Sequence, residues 1–149
     1  LYPDDGDVAE ELLKNADTAM YRAKQLGKNN IQFFREEMKR NMIRRMAIEK
    51  GLRRALKRGE FALHYQPQIE LSTGLIRSFE TLLRWNDDEL GVVSPIEFIP
   101  IAEDTSMIVP IGEWVLKEAC RQGEEWNRIC CPHLLISVNI SAVQLKQAN

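Results

Sequence analysis

Glu80 stands inside an apolar stretch, Ser78-Phe79-Glu80-Thr81-Leu82-Leu83-Arg84-Trp85, where a carboxylate is costly to bury without a partner. A divalent metal ion is one such partner and a cross-strand arginine is another; the strand pattern leaves both open. Side chains alternate along an extended strand, so Ser78, Glu80, Leu82 and Arg84 share one face and Phe79, Thr81, Leu83 and Trp85 the other. Glu80 and Arg84 lie about 13 Å apart along the strand at ~3.3 Å per residue, too far to form a tight ion pair with each other. Asn139 is the second candidate. It falls near the C-terminal end of Leu134 to Ile140, a nearly continuous apolar and β-branched run expected to be a strand buried on both faces. In parallel α/β architectures that end is where ligands bind. An amide oxygen beside a carboxylate makes an all-oxygen site for a hard cation, Mg²⁺ or Mn²⁺ rather than zinc. Capping the following turn is the competing role for Asn139, and for an isolated asparagine the ordinary one.

Other chemistry is sparse. Cys120, Cys130 and Cys131 have no metal-ligand spacing, and two histidines, His64 and His133, are too few for a His-rich zinc centre. Reduced thiols of a cytoplasmic protein are the expected reading.

The elements that must position Glu80 and Asn139 follow from the hydrophobic periods. Phe61, Leu63, Tyr65, Ile69 and Leu71 alternate with Ala62, His64, Gln66, Gln68 and Glu70, which is a strand period. Ser72-Thr73-Gly74 turns the chain into the Leu75–Trp85 strand, and so short a connection forces the two strands to be antiparallel. Ser94-Pro95-Ile96-Glu97 opens a helix, with Ser as N-cap and Pro at the first helical position. A further helix begins near Pro110, carries Ile111, Trp114, Val115, Ala119 and Trp126 on one stripe, and is broken by Cys131-Pro132. Ser141 and Gln144 repeat the capping-box pattern after the last strand.

Upstream, Asp7 with Glu10 predicts a capped helix whose apolar stripe runs from Val8 to Leu26, with Gly27 to end it. A short strand is expected at Ile31–Phe34, and a single helix and strand suggest the tail of a larger domain. Residues 36 to 58 form a long helix rich in Arg, Lys, Met and Leu, ended by Gly59.

Composition limits the partners. The net charge of −2 leaves no basic excess for neutralising a nucleic-acid polymer. From Arg35 to Glu60 ten Lys and Arg face four Asp and Glu, a local +6 that fits a solvated interdomain helix better than an anion-binding patch. No apolar run approaches the roughly 20 residues of a membrane-spanning helix, and the N-terminus lacks a signal-peptide layout.

Several blocks occur together and in order: Tyr65-Gln66-Pro67, Glu80-Thr81-Leu82-Leu83-Arg84-Trp85, Val93-Ser94-Pro95 with Phe98-Ile99-Pro100, Gly112-Glu113-Trp114-Val115-Leu116, and Ser137-Val138-Asn139-Ile140-Ser141. Over residues 61 to 145 they resemble the opening of the EAL domain, a bacterial phosphodiesterase family that hydrolyses cyclic di-GMP to linear pGpG. The resemblance implies an α/β fold, here an incomplete TIM-like barrel with an antiparallel first strand. It also implies that Glu80 and Asn139 bind a catalytic Mg²⁺ or Mn²⁺, and that Gln66, Leu82 and Arg84 contact the dinucleotide, Arg84 through a phosphate oxygen. Thr81 replaces the Ala usual in the motif, on the face away from Glu80, where the change should be tolerated.

Ala16-Asp17-Thr18-Ala19-Met20-Tyr21-Arg22-Ala23-Lys24 with Gly27-Lys28-Asn29 is similar to the last helix of a GGDEF domain, the diguanylate cyclase fold. By that likeness Lys24 and Lys28 would approach a GTP phosphate; an ordinary basic helix terminus explains them equally well. The expected organisation is the end of a GGDEF domain over 1–35, an interdomain helix over 36–59, and the N-terminal half of an EAL domain over 60–149. The expected partners are cyclic di-GMP and a second copy of the intact protein. The family's remaining acidic ligands, its aspartate pair and its catalytic lysine have no counterpart in these 149 residues, so the chain on its own is expected to be catalytically inactive and only weakly stable. The alternatives to the enzyme are a degenerate EAL domain that senses cyclic di-GMP without cleaving it and a purely regulatory pair of domains.

Overall fold

The computed structural model describes residues 1–129 and 133–147, with Gln25 and Gln147 described by backbone alone. The expected helix break at Cys131-Pro132 lies outside the described residues. The chain divides into two compact units, Leu1–Ala47 and Ile48–Asn149, and the division falls inside a long helix.

The first unit holds α1 (Ala9–Gln25) and the beginning of α2 (Glu36–Arg58). Helix α1 starts later than its capping signal suggests: Val8, extended at φ −125°, is the N-cap, and no side chain caps the helix. The Asp7–Glu10 box is therefore not formed. Its C-terminus closes as expected. Gly27, at φ +94°, lets its own N–H reach Lys24 O at 3.3 Å while Lys28 N–H reaches Ala23 O at 3.1 Å, a Schellman closure. The strand expected at Ile31–Phe34 is absent. A strand exists only as a hydrogen-bonded pair, and among the described residues this segment has no partner, leaving Ile31 and Phe33 exposed.

The second unit is an α/β arrangement around a four-stranded sheet. Strands β1 (Phe61–Ile69) and β2 (Ile76–Asp87) pair antiparallel along nearly their whole length. The other edge of β2 is shared by β3 (Gly91–Val93), antiparallel, and β4 (Leu135–Val138), parallel. The three-residue β3 is too short to show an alternation, so it carries no period in the sequence. Helices α3 (Pro95–Asp104) and α4 (Ile108–Ile129) lie between β3 and β4, and α5 (Ala142–Gln147) follows β4. Ser94 is the N-cap of α3, with Pro95 behind it, although its hydroxyl makes no cap hydrogen bond. At α5 both capping side chains engage: Ser141 N–H donates to Gln144 Oε1 at 3.0 Å, and the Ser141 hydroxyl accepts from Val143 N–H at 3.1 Å, one position earlier than in a full capping box.

Alternation places Phe61, Leu63, Phe79, Thr81, Leu83 and Trp85 on the helical side of the sheet. There Phe61, Trp85, Val93, Phe98, Ile101, Ile111 and Val115 join Ile48, Leu52 and Ala55 of α2 in one core. Trp85 is its centre, 5.5 Å edge-on to Phe98 and 5.9 Å from Phe61. Its indole N–H donates to Glu60 Oε2 at 3.1 Å. Asp87, buried beside it, accepts the N–H groups of Glu89 and Leu90, each at 2.8 Å, and faces Arg54 at 3.4 Å. Burial alone would push its carboxyl up; the two backbone N–H groups and the guanidinium outweigh it and hold it below the ordinary carboxylate range.

One burial expectation fails. β4 is not buried on both faces: Leu135 and Ser137 are exposed, Ile136 and Val138 half-buried. Apolar content records what a strand can bury, whereas exposure depends on what packs there, and among the described residues β4 pairs with β2 alone.

Candidate active site

The face of the sheet opposite the helices carries the polar residues, and the strand register brings them into layers. Gln66 pairs with Glu80 across β1 and β2, and Glu80 pairs in turn with Ser137 of β4. Asn139 follows β4 by one residue, level with Leu82, because Val138 pairs with Thr81. Its amide N–H donates to Glu80 Oε1 at 2.9 Å, a contact between residues 59 positions apart in the chain.

This geometry removes a cross-strand arginine as the partner of Glu80. Its cross-strand neighbours are Gln66 and Ser137, neither of them a cation, and Arg84 pairs with Ala62 instead. The Arg84 guanidinium donates to Leu83 O at 3.0 Å and makes no ion pair among the described residues. Glu80 is half-buried and its one described hydrogen bond is from Asn139. Among the described residues no three His, Cys, Asp or Glu cluster into a metal site. The pair still fits a hard cation: a half-turn of the Asn139 amide would present its oxygen beside the Glu80 carboxylate, and both donors are then oxygen.

Gln66, Leu82 and Arg84 lie on the same face as Glu80, with Gln66 exposed and the other two half-buried. The register adds His64, directly opposite Leu82. Its alternation with Tyr65 placed it on the polar face, but without a register nothing in the sequence put it level with Asn139. Thr81 is on the other face, 3% exposed, and its hydroxyl has no hydrogen-bond partner among the described residues. It lines a cavity of about 280 Å³ that is apolar at Ile99, Ile111, Val115 and Val138 and polar at Glu103, Ser141 and Gln144, and that extends to Leu82, Arg84 and Asn139 without reaching Glu80. Lys24 and Lys28 belong to the first unit, in the last turn of α1 and just after it; both are exposed, and neither is in an ion pair among the described residues.

The EAL domain model covers residues 49–149, and the chain belongs to that family. MucR of Pseudomonas aeruginosa, described as a bifunctional diguanylate cyclase/cyclic di-GMP phosphodiesterase, is 44% identical over 148 residues, which are 99% of this chain and 22% of that protein. PdeR of Escherichia coli, a cyclic di-GMP phosphodiesterase, is 39% identical over 145 residues, 97% of this chain and 21% of that protein. The chain thus spans about a fifth of the length of these relatives. Among solved structures, the PaMucR phosphodiesterase in complex with c-di-GMP is similar at a TM-score of 0.65 and 43% identity, over 68% of this chain and 41% of that one. The FimX EAL domain of Xanthomonas citri, also in complex with c-di-GMP, gives a TM-score of 0.53 at 31% identity, over 66% of this chain and 38% of that one. Across the described residues no helix is long and apolar enough to cross a membrane.

Proposed function

We propose that this chain contributes the entrance of the active site of a cyclic di-GMP phosphodiesterase that yields linear pGpG with Mg²⁺ or Mn²⁺. The observation that carries this is the Asn139–Glu80 contact at 2.9 Å, on the sheet face that also presents Gln66, Leu82 and Arg84. Glu80 and the Asn139 amide oxygen would hold the ion. When bound, such an ion neutralises phosphate charge and generates a nucleophile from water at neutral pH. Arg84 supplies a cation two layers above Gln66, and exchanging its Leu83 carbonyl for a phosphate oxygen gives it a stronger, charge-assisted hydrogen bond. Gln66 offers an amide to the dinucleotide and Leu82 an apolar wall.

Residues 1–35 serve in this reading as the end of a GGDEF domain, with Lys24 and Lys28 toward a GTP phosphate, 36–59 as the interdomain helix, and 60–149 as the N-terminal half of the EAL domain. Support comes from MucR, whose description joins both activities and whose similarity runs over 99% of this chain. The intact protein is then a cytoplasmic homodimer acting on a soluble second messenger, and the exposed thiol of Cys120 accords with a reducing compartment.

The test uses the intact protein. Hydrolysis of cyclic di-GMP to pGpG should require Mg²⁺ or Mn²⁺ and fall at least a hundredfold in Glu80→Gln, whereas this chain alone should give none. Calorimetric binding without turnover would replace the enzyme by a receptor. Neither binding nor turnover would overturn both.

A further inference from the structure

Resting on the reading above, we infer that His64 is a further substrate-contacting residue, donating an N–H from its ring to a phosphate oxygen of the bound dinucleotide. The register stacks the polar face in three layers. Gln66 and Glu80 form the first, His64 and Leu82 the second, Ala62 and Arg84 the third. Asn139, level with Leu82, belongs to the second. Successive layers are two residues apart, roughly 6.6 Å along the strands.

A dinucleotide phosphate held between an ion at Glu80–Asn139 and the Arg84 guanidinium must cross the second layer. On the β2 side that layer offers only the hydrocarbon of Leu82. On the β1 side it offers His64, whose neighbour toward Arg84 is Ala62, too short to cover the ring. His64 is exposed, and no hydrogen bond engages it among the described residues. A neutral imidazole always carries one N–H, so the donor is present in either tautomer. Directly opposed side chains in an antiparallel pair approach to about 5 Å between Cβ atoms, so Leu82 backs the ring and narrows its range of directions.

A hydrogen bond to a charged acceptor is worth tenfold or more in affinity. In the intact protein, with steady-state kinetics on cyclic di-GMP and thermal unfolding as a check on folding, His64→Ala should raise KM about tenfold and leave kcat within about twofold. His64→Gln, which keeps a neutral donor, should recover most of the loss. His64→Phe, which keeps the ring and removes the N–H, should behave as the alanine variant. An unchanged KM in His64→Ala, or a normal KM in His64→Phe, would overturn the assignment while the proposed function stands. An intact protein with His64 in place that neither binds nor hydrolyses would overturn the function, and the assignment with it.

Discussion

Two glycines in the middle of helices should respond in opposite ways to the same added methyl group. Replacing Gly by Ala in a helix interior gains about 1 kcal/mol from helix propensity, so both Gly51→Ala and Gly123→Ala would be stabilising if the helix alone mattered. At Gly51 of α2 the new Cβ would stand 2.9 Å from Trp85 Cζ2 and 3.0 Å from both Trp85 Cη2 and Asp87 Oδ2. Ordinary carbon contacts are ~3.5–4.0 Å. Neither neighbour can retreat: Trp85 is 1% exposed and tied to Glu60, and Asp87 is held by two backbone N–H groups. Overpacking of this kind costs about 1–3 kcal/mol, which cancels or exceeds the helix gain. At Gly123 of α4 the Cβ would meet Ile136 Cδ1 at 2.8 Å, the far end of a half-buried side chain that can change rotamer. Most of the gain should survive there. The two variants should therefore differ by about 2 kcal/mol, or roughly 10 °C in Tm for a unit of this size. Urea unfolding of the chain followed by tryptophan fluorescence reads the right unit, since Trp85, Trp114 and Trp126 all lie within it. The same pair in the intact protein, followed by thermal unfolding, repeats the comparison. Equal stabilities for the two variants would refute the packing argument.

Asp87 and Thr81 give two further tests. Because the folded-state carboxyl of Asp87 is held below its ordinary value, its contribution to stability is complete above the unfolded pKa of ~3.9 and is lost as pH falls through the folded value. Asp87→Asn should thus be less stable at pH 7, and its deficit in urea midpoint should shrink once the pH drops below about 4; a deficit that does not change with pH would contradict this. Thr81→Ala removes a buried hydroxyl that has no partner among the described residues, whose desolvation costs about 1–3 kcal/mol, along with atoms whose packing is worth a similar amount. Its Tm should stay level or rise by a few degrees, and hydrolysis by the intact protein should be unchanged because Thr81 faces away from Glu80; a Tm loss above about 5 °C would show that the hydroxyl is satisfied.

The sequence by itself determined much of the secondary structure of the second unit and the division of its side chains between faces. Two strands joined by Ser72-Thr73-Gly74 must be antiparallel, and their alternation alone separates Glu80, Leu82 and Arg84 from Thr81 and Trp85. These are local properties, fixed by turn length and by the two-residue period. Local signals also overreached. Ile31–Phe34 has strand composition and no strand, and β4 has a buried strand's composition without its burial, because pairing and covering both require another element.

Tertiary structure decided which residues meet. No period in the chain says that Gln66 stands opposite Glu80 rather than Leu82, since a shift of two residues would keep every side chain on its face. Nor does local pattern bring Asn139 to Glu80 across 59 positions; that contact requires β4 to return parallel beside β2 after two intervening helices. The core that fixes this arrangement centres on Trp85, held by α2, α3 and α4 at once, and no one of those helices carries it alone. The carboxylate could be read from one strand. Its partner could be placed only by the fold.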